Sequence, residues 1–207
     1  IKPGQPRQYN AYTMGWNYRS SSMEAAFTRC QIRKLDEYNA ARIRNCEYLT
    51  EHLSEMPGIY VPEVPEDRTN VYFFWVMRAR PQEYGLDVPV GAFRDALSKA
   101  MQAEGVPLKR WQRRTVLEQT LFHYKDGYGK GCPWDCKDTR EGIEYNPEDY
   151  PEAVRLIDEF LCIGHSEGGI TPPNDTDLMQ LYVDAFHKVM VENKDEFLEL
   201  IRQERED

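Results

Sequence analysis

Near the start of the chain, Gly15-Trp16-Asn17-Tyr18-Arg19 puts an amide and a guanidinium two residues apart, just ahead of Ser20-Ser21-Ser22-Met23-Glu24. Ser21 and Glu24 have the spacing of a capping box, in which the hydroxyl accepts from an early helical N–H and the carboxylate accepts from the cap's own N–H. Residues just before such a cap sit beside a helix N-terminus, where free N–H groups and the helix dipole favour an anion. Asn17 adds an amide donor and Arg19 a cationic fork, a set suited to a phosphate or carboxylate. The same pair also suits a plain turn lock that binds nothing.

A second concentration of site-type groups falls in residues 109–147. Lys109, Arg110, Arg113 and Arg114 surround Trp111. Arginines stack on aromatic faces and fork onto phosphate oxygens, so this cluster can hold an anionic or sugar-nucleotide ligand, or else form a strand edge with exposed charges. His123-Tyr124 lies in a Gly- and Tyr-rich loop, Phe122 to Gly131, where a single His is commonly a surface hydrogen-bonding residue. Cys132-Pro133-Trp134-Asp135-Cys136 has C-x3-C spacing with no second Cys pair after it. Pro and Trp in the gap suit a packed loop, so no metal site is expected.

The opening run, with Ala25-Ala26, Gln31, Leu35-Asp36 and Arg42, resembles the start of the C-terminal part of DegT/StrS-type aminotransferases. Those are pyridoxal-phosphate enzymes that aminate keto-sugars and keto-cyclitols. The resemblance continues loosely to about Val191 through Tyr150-Pro151-Glu152-Ala153 and Asp184-Ala185-Phe186-His187-Lys188-Val189. Ser20 stands where the family usually has Met, and Ser22 where an acidic residue is common. The resemblance places Asn17, with Gly15 beside it, at the cofactor phosphate of a neighbouring subunit. Arg19 is expected to orient the motif, and is counted with Arg110, Trp111 and His123 as a substrate-side candidate. No catalytic residue is expected in this chain. The family's Schiff-base Lys, its Asp facing the pyridine nitrogen and its phosphate loop lie upstream of the motif. The chain opens at Ile1, so the expectation is the smaller portion of an enzyme. It would share pyridoxal phosphate with an N-terminal portion or subunit, pair in a homodimer-type assembly and be inactive alone. A non-catalytic dimerisation or assembly subunit of the same fold is the alternative.

Composition sets the outer bounds. In 207 residues, 41% are apolar and the aromatic count is high (13 Tyr, 8 Phe, 4 Trp), which permits a real core and argues against disorder throughout. A net charge of −9 argues against wide non-specific nucleic-acid binding. The longest apolar stretches are far shorter than a bilayer span, and no signal-type segment opens the chain. Five irregularly spaced Cys fit reduced thiols in a cytoplasmic protein better than a disulfide framework.

The elements that must position these groups follow from periodicity. Residues 1–21 read as an extended arm carrying the motif. A long helix is predicted from about Ser22 to Met56, with Met23, Phe27, Cys30, Leu35, Tyr38, Cys46, Leu49, Leu53 and Met56 as its stripe, imperfect around residues 31–35 and 39–45. At ~1.5 Å per residue it would be a strut roughly 50 Å long, suited to an interface. Pro57-Gly58 ends it, and residues 70–77 read as a strand covered on both faces. A helix over Val90–Glu104 stops at Gly105, and Val106-Pro107-Leu108 begins a second strand. A helix from Glu152 to Cys162 and another capped by Asn174 or Asp175 follow. The latter's stripe is Leu178, Leu181, Tyr182, Ala185, Val189 and Met190. Residues 194–207 form a charged helical tail that packs on a neighbour or frays. The fold class is α+β. On the resemblance, residues 22–193 are the long interface helix plus the small α/β-sandwich domain of a fold-type I aminotransferase.

Overall fold

Ser21 and Glu24 form the box that their spacing predicts. The Ser21 N–H donates to Glu24 Oε2 at 2.7 Å, and the Glu24 N–H donates to Ser21 Oγ at 3.2 Å. They open α1 (Ser22–Ile32), none of whose residues is buried. The computed structural model describes residues 18, 20–125, 128, 131–164 and 168–206, in two units, one ending at Asp36 and the other running from Glu37. Gly15, Asn17, Arg19, His165 and Ser166 lie outside the described residues.

The single strut expected over Ser22–Met56 is two helices. A turn at Arg33 and Lys34 separates α1 from α2 (Leu35–Leu53), and the Lys34 N–H closes it by donating to Gln31 at 3.0 Å. The predicted stripe divides in the same way. Cys46, Leu49, Leu53 and Met56 are buried, whereas Met23, Phe27, Leu35 and Tyr38 are exposed.

In the second unit, α2 leads into β1 (Ile59–Tyr60), a short strand that the sequence reading missed. Gly58 makes the corner at φ +86°, and a Cβ there would meet Tyr84 Cβ at 2.8 Å and Phe93 Cζ at 2.9 Å. No other residue fits both the backbone and the space. The central strand, β2 (Trp75–Ala79), starts later than the predicted residue 70. The Asn70 side chain accepts from the Tyr72 N–H at 2.9 Å, and Tyr72 adopts φ +46°. That side-chain turn competes with the ladder, so the chain bends at Phe73 and Phe74 before pairing begins.

The helix α3 (Val90–Ala103) follows, ending as predicted at Gly105, which takes φ +84°. Its Phe93, Ala96, Leu97 and Met101 are fully buried. Val106 and Leu108 are also buried, but they form no strand. Pro107 has no N–H to give a ladder, and Ser98 Oγ and Gln102 Nε2 of α3 both donate to the Leu108 carbonyl, at 3.0 and 2.7 Å. Only Lys109 reaches the sheet, exchanging backbone bonds with Cys162.

A five-residue helix, α4 (Thr120–Tyr124), occupies the start of the segment read as a Gly- and Tyr-rich loop. The helix predicted to Cys162 stops earlier, as α5 (Pro151–Glu159), and the chain continues straight into β3 (Phe160–Ile163). Both β1 and β3 pair antiparallel with β2, giving the order β1-β2-β3 with Trp75 opposite Ile163 and Met77 opposite Leu161. Those four and Ala79 make one face of the sheet and are fully buried. The other face carries Arg78, whose Nε is 2.5 Å from Glu159, and Tyr60, which lies under Arg80 at 4.2 Å.

Asp175 caps α6 (Thr176–His187), which passes through a π-helical turn, Lys188–Glu192, into α7 (Lys194–Glu206). In α6 the predicted Leu181 points outward, while Met179, Val183 and Phe186 supply the core instead. The terminal tail does not fray. Phe197 and Ile201 are buried, and α7 packs along α3, where Tyr84, Phe93 and Phe197 make an edge-to-face triad with centroids 5.4–5.9 Å apart. Aromatic pairs in that geometry contribute about 0.5–1.5 kcal/mol beyond their buried area.

Candidate functional site

The bend before β2 brings side chains to the surface that a longer strand would have buried. Phe73 is 66% exposed and packs edge-on against Phe74 at 4.4 Å. Phe74 in turn lies 5.2 Å from Trp111, which is 51% exposed, and Lys109 Nζ sits 5.6 Å from the Trp111 ring. Gly164 closes the back of this row, since a Cβ there would meet the Phe74 ring at 2.8 Å. The result is an aromatic wall with a cation over its outer end, a surface on which a planar or sugar-ring ligand can stack.

Around Phe73 the wall turns into a cleft of about 360 Å³, lined by Tyr38, Arg42, Phe73, Thr171 and Pro172. Arg42 spends Nη1 on the Val71 carbonyl at 3.3 Å, and its Nε is buried without a hydrogen-bond partner among the described residues. A guanidinium charge, a threonine hydroxyl and two aromatic faces can receive an anion attached to a ring. The floor of the cleft is held from below. Asn45, one turn along α2 from Arg42, is buried and donates to the carbonyls of Ile170 and Asn174 at 3.1 and 2.9 Å, fixing the segment that carries Thr171.

The predicted site residues do not form one group. Trp111 belongs to the aromatic wall, but Arg110 turns to the end of α5, donating from Nη2 to the Ile157 carbonyl at 3.3 Å and lying 3.7 Å from Asp158. Burial, followed by the neighbouring Arg94 charge, holds the Arg110 guanidinium below its ordinary range. A cation there complements a helix C-terminus. His123 is exposed on α4. Nearby, Thr115 donates to Glu118 from N and Oγ1 at 2.7 and 2.8 Å, which lowers the carboxyl pKa; Arg114 and His123 add smaller pulls in the same direction. Among the described residues, no hydrogen bond, ion pair or ring contact joins His123 to Arg110 or Trp111.

Arg42 and Phe73 were missed as a pair, the first read as part of the family resemblance and the second placed in a strand covered on both faces. Asn70, whose short side chain breaks the strand, is the local signal that could have found them.

The described residues fit an anionic group at the start of α1 only in part. The box already places the Glu24 carboxylate on the helix end, and Glu24 is held below its ordinary pKa by the Ser21 N–H. The N–H groups of Ser22 and Met23 are the donors that the box does not use.

This small antiparallel sheet backed by helices superposes on part of solved aminotransferases. S. venezuelae DesV superposes with a TM-score of 0.62 at 19% identity, covering 89% of this chain and 40% of that one. An aminotransferase from Brucella abortus gives 0.60 at 18%, covering 88% and 39%. The chain belongs to the DegT/DnrJ/EryC1/StrS aminotransferase family, whose sequence model matches residues 1–138. A protein of Streptoalloteichus tenebrarius, provisionally named an L-glutamine:3-amino-2,3-dideoxy-scyllo-inosose aminotransferase, is 31% identical over 168 residues. That match covers 74% of this chain and 36% of the relative. The dTDP-3-amino-3,6-dideoxy-alpha-D-galactopyranose transaminase of Aneurinibacillus thermoaerophilus is 29% identical over 80 residues, covering 39% and 22%. The chain thus spans little more than a third of the first of these relatives. Among the described residues, no helix is long and apolar enough to cross a membrane.

Proposed function

We propose that this chain supplies the small domain of a pyridoxal-phosphate-dependent aminotransferase acting on a keto-sugar, nucleotide-linked, or on a keto-cyclitol. The observation that carries the reading is the family match over residues 1–138, which includes the Gly15–Arg19 motif. The relatives' names supply the two substrate classes. When bound, the cofactor would supply the electron sink for exchange of the amino group. Asn17, with Gly15 beside it, would hold the cofactor phosphate from across a subunit interface, assisted by the N–H groups of Ser22 and Met23. Arg19 would orient that motif. The Lys that bonds the cofactor would come from the remaining part of the enzyme, so the isolated chain would be inactive.

On the substrate side, Arg42 would take the anionic group while Phe73 and Trp111 stack on the ring. The exposure of both aromatics, and the cleft that Arg42 shares with Phe73, favour them over Arg110 and His123. The assembly-subunit alternative draws support from α1, which buries none of its own residues and needs a partner surface in either case.

The test is reconstitution. Pyridoxal phosphate is added to this chain alone, to a cofactor-bearing N-terminal portion alone and to the mixture. A visible band of protein-bound cofactor and transaminase turnover in the mixture, absent with this chain alone, are the expected results. Asn17→Ala should then weaken cofactor retention while leaving the far-ultraviolet circular dichroism unchanged. Unchanged cofactor affinity in that variant removes Asn17 from the site, and a mixture without turnover favours the assembly subunit.

A further inference from the structure

Cys132 and Cys136 hold their sulfurs 3.4 Å apart, with Cys136 exposed and Cys132 half-buried. The loop that carries them is tied by its own backbone. The Asp135 N–H donates to Gly131 at 2.8 Å, the Thr139 N–H to Cys136 at 2.8 Å and the Tyr128 N–H to Cys132 at 2.9 Å. The Thr139 hydroxyl adds a bond to the Pro133 carbonyl at 2.5 Å. Between the two thiols, Trp134 is anchored by its Nε1–H to the Tyr145 hydroxyl at 2.8 Å and lies edge-on to Phe122 at 6.1 Å. The closeness of the sulfurs is therefore built into the loop. A disulfide needs about 2.05 Å between sulfurs, so closing one asks for ~1.4 Å of side-chain movement. Among the described residues, no group of three or more Cys, His, Asp or Glu gathers there to hold a metal.

We propose that Cys132 and Cys136 are a dithiol modification site that reacts with low-molecular-weight disulfides of the glutathione type to close a reversible intramolecular disulfide. Cys136 opens onto a cleft of about 440 Å³ lined by Lys125, Lys137 and Arg140 against Asp135 and Glu141. The cations there suit a disulfide that carries carboxylates. The contact with Cys132 pushes the Cys136 thiol up, so Cys136 attacks as the fraction that has lost its proton. Its thiolate takes one sulfur of the external disulfide, whose S–S bond breaks and releases a first thiol. The Cys132 thiolate then attacks the Cys136 sulfur, breaking the mixed disulfide and releasing a second thiol. Two protein thiols are oxidised, the external disulfide is reduced, and the two released thiols carry off both protons.

The experiment treats the full chain, in a Cys30→Ser background that removes the other exposed thiol, with oxidised glutathione. Intact mass and the tryptic peptide 131–137 are then read. The expected product has lost two hydrogens, retains no glutathione and returns to the dithiol form with dithiothreitol. Cys132→Ser, which cannot complete the second step, should retain glutathione on Cys136 at about tenfold or more the level in the parent. Glutathione persisting on Cys136 of the parent would overturn the proposal, as would a peptide that stays fully reduced. The parent's own peptide decides the matter even if Cys132→Ser fails to fold.

Discussion

The Asn45 side-chain amide donates to the Ile170 carbonyl at 3.1 Å, and the same nitrogen reaches the Asn174 carbonyl at 2.9 Å. One buried amide thus ties α2 to a segment 125 residues away in sequence, and that segment forms a wall of the Arg42 cleft. Asn45→Ala would leave the buried Ile170 carbonyl, and the half-buried Asn174 carbonyl, without that donor. A buried acceptor left unsatisfied costs about 1–3 kcal/mol. The urea midpoint should fall accordingly with the m-value unchanged; a midpoint equal to the parent's would mean that water replaces the amide at no cost.

Gly58 and Gly85 offer a controlled comparison, since both adopt positive φ, at +86° and +84°. A Cβ at Gly85 would meet nothing within 4 Å, whereas one at Gly58 would collide with Tyr84 and Phe93. Gly85→Ala should cost only the backbone term, about 1–2 kcal/mol. Gly58→Ala adds overpacking of about 1–3 kcal/mol on top. Equal losses in the two variants would show that the Tyr84 and Phe93 rings yield freely.

Burial pushes the Cys46 thiol up to about 12 and the Cys162 thiol up to about 11, against small opposing pulls from Arg42 and Lys109. In the unfolded chain these thiols lose protons near pH ~8.5. Between that point and the folded values, the native state holds protons that the unfolded state has released, so stability is full below pH ~8.5 and falls as pH rises. Each thiol contributes a slope of up to about 1.4 kcal/mol per pH unit. Unfolding free energies measured from pH 8 to 10 in the parent and in Cys46→Ala should differ in slope by that amount. Parallel curves would refute the assignment.

Sequence-local features were legible. The Ser21–Glu24 box and the Gly105 stop need only a few neighbouring residues, and both stand as read. The strand β3 was not, because Phe160-Leu161-Cys162-Ile163 continues the apolar stripe of α5 and only pairing with β2 turns it into strand. The turn at Arg33 falls where the stripe is imperfect, around residues 31–35, and was read through because apolar residues resume at Leu35 and Tyr38. In the candidate site, Trp111 was legible by type. Arg42 was not, since its value comes from a bend set by Asn70, 28 positions on.

The wall formed by Phe73 and Trp111 predicts a spectroscopic response in the isolated chain. A nucleoside diphosphate sugar stacked there should quench tryptophan emission, and the quenching should weaken with salt because Arg42 and Lys109 contribute charge. Trp111→Phe should abolish the change, and Arg42→Ala should weaken the apparent affinity about tenfold, the size expected for loss of a charge-assisted bond. Quenching that survives Trp111→Phe would place the ligand elsewhere.

Phe27 is 67% exposed on an 11-residue helix that buries none of its own residues. Helices shorter than ~12–15 residues are marginal in water without tertiary packing, so α1 in the isolated chain should exchange its amide protons rapidly. Phe27→Ala should accordingly change the unfolding free energy by no more than about 0.5 kcal/mol, the range of surface substitutions. In the reconstituted mixture the same amides should become protected, and Phe27→Ala should lower the affinity of the two portions, since an exposed aromatic truncated at an interface centre costs about 2 kcal/mol or more. Slow exchange of α1 in the isolated chain, or a loss of its stability in Phe27→Ala as large as a core aromatic would give, would show that the helix already has its packing partner within the chain.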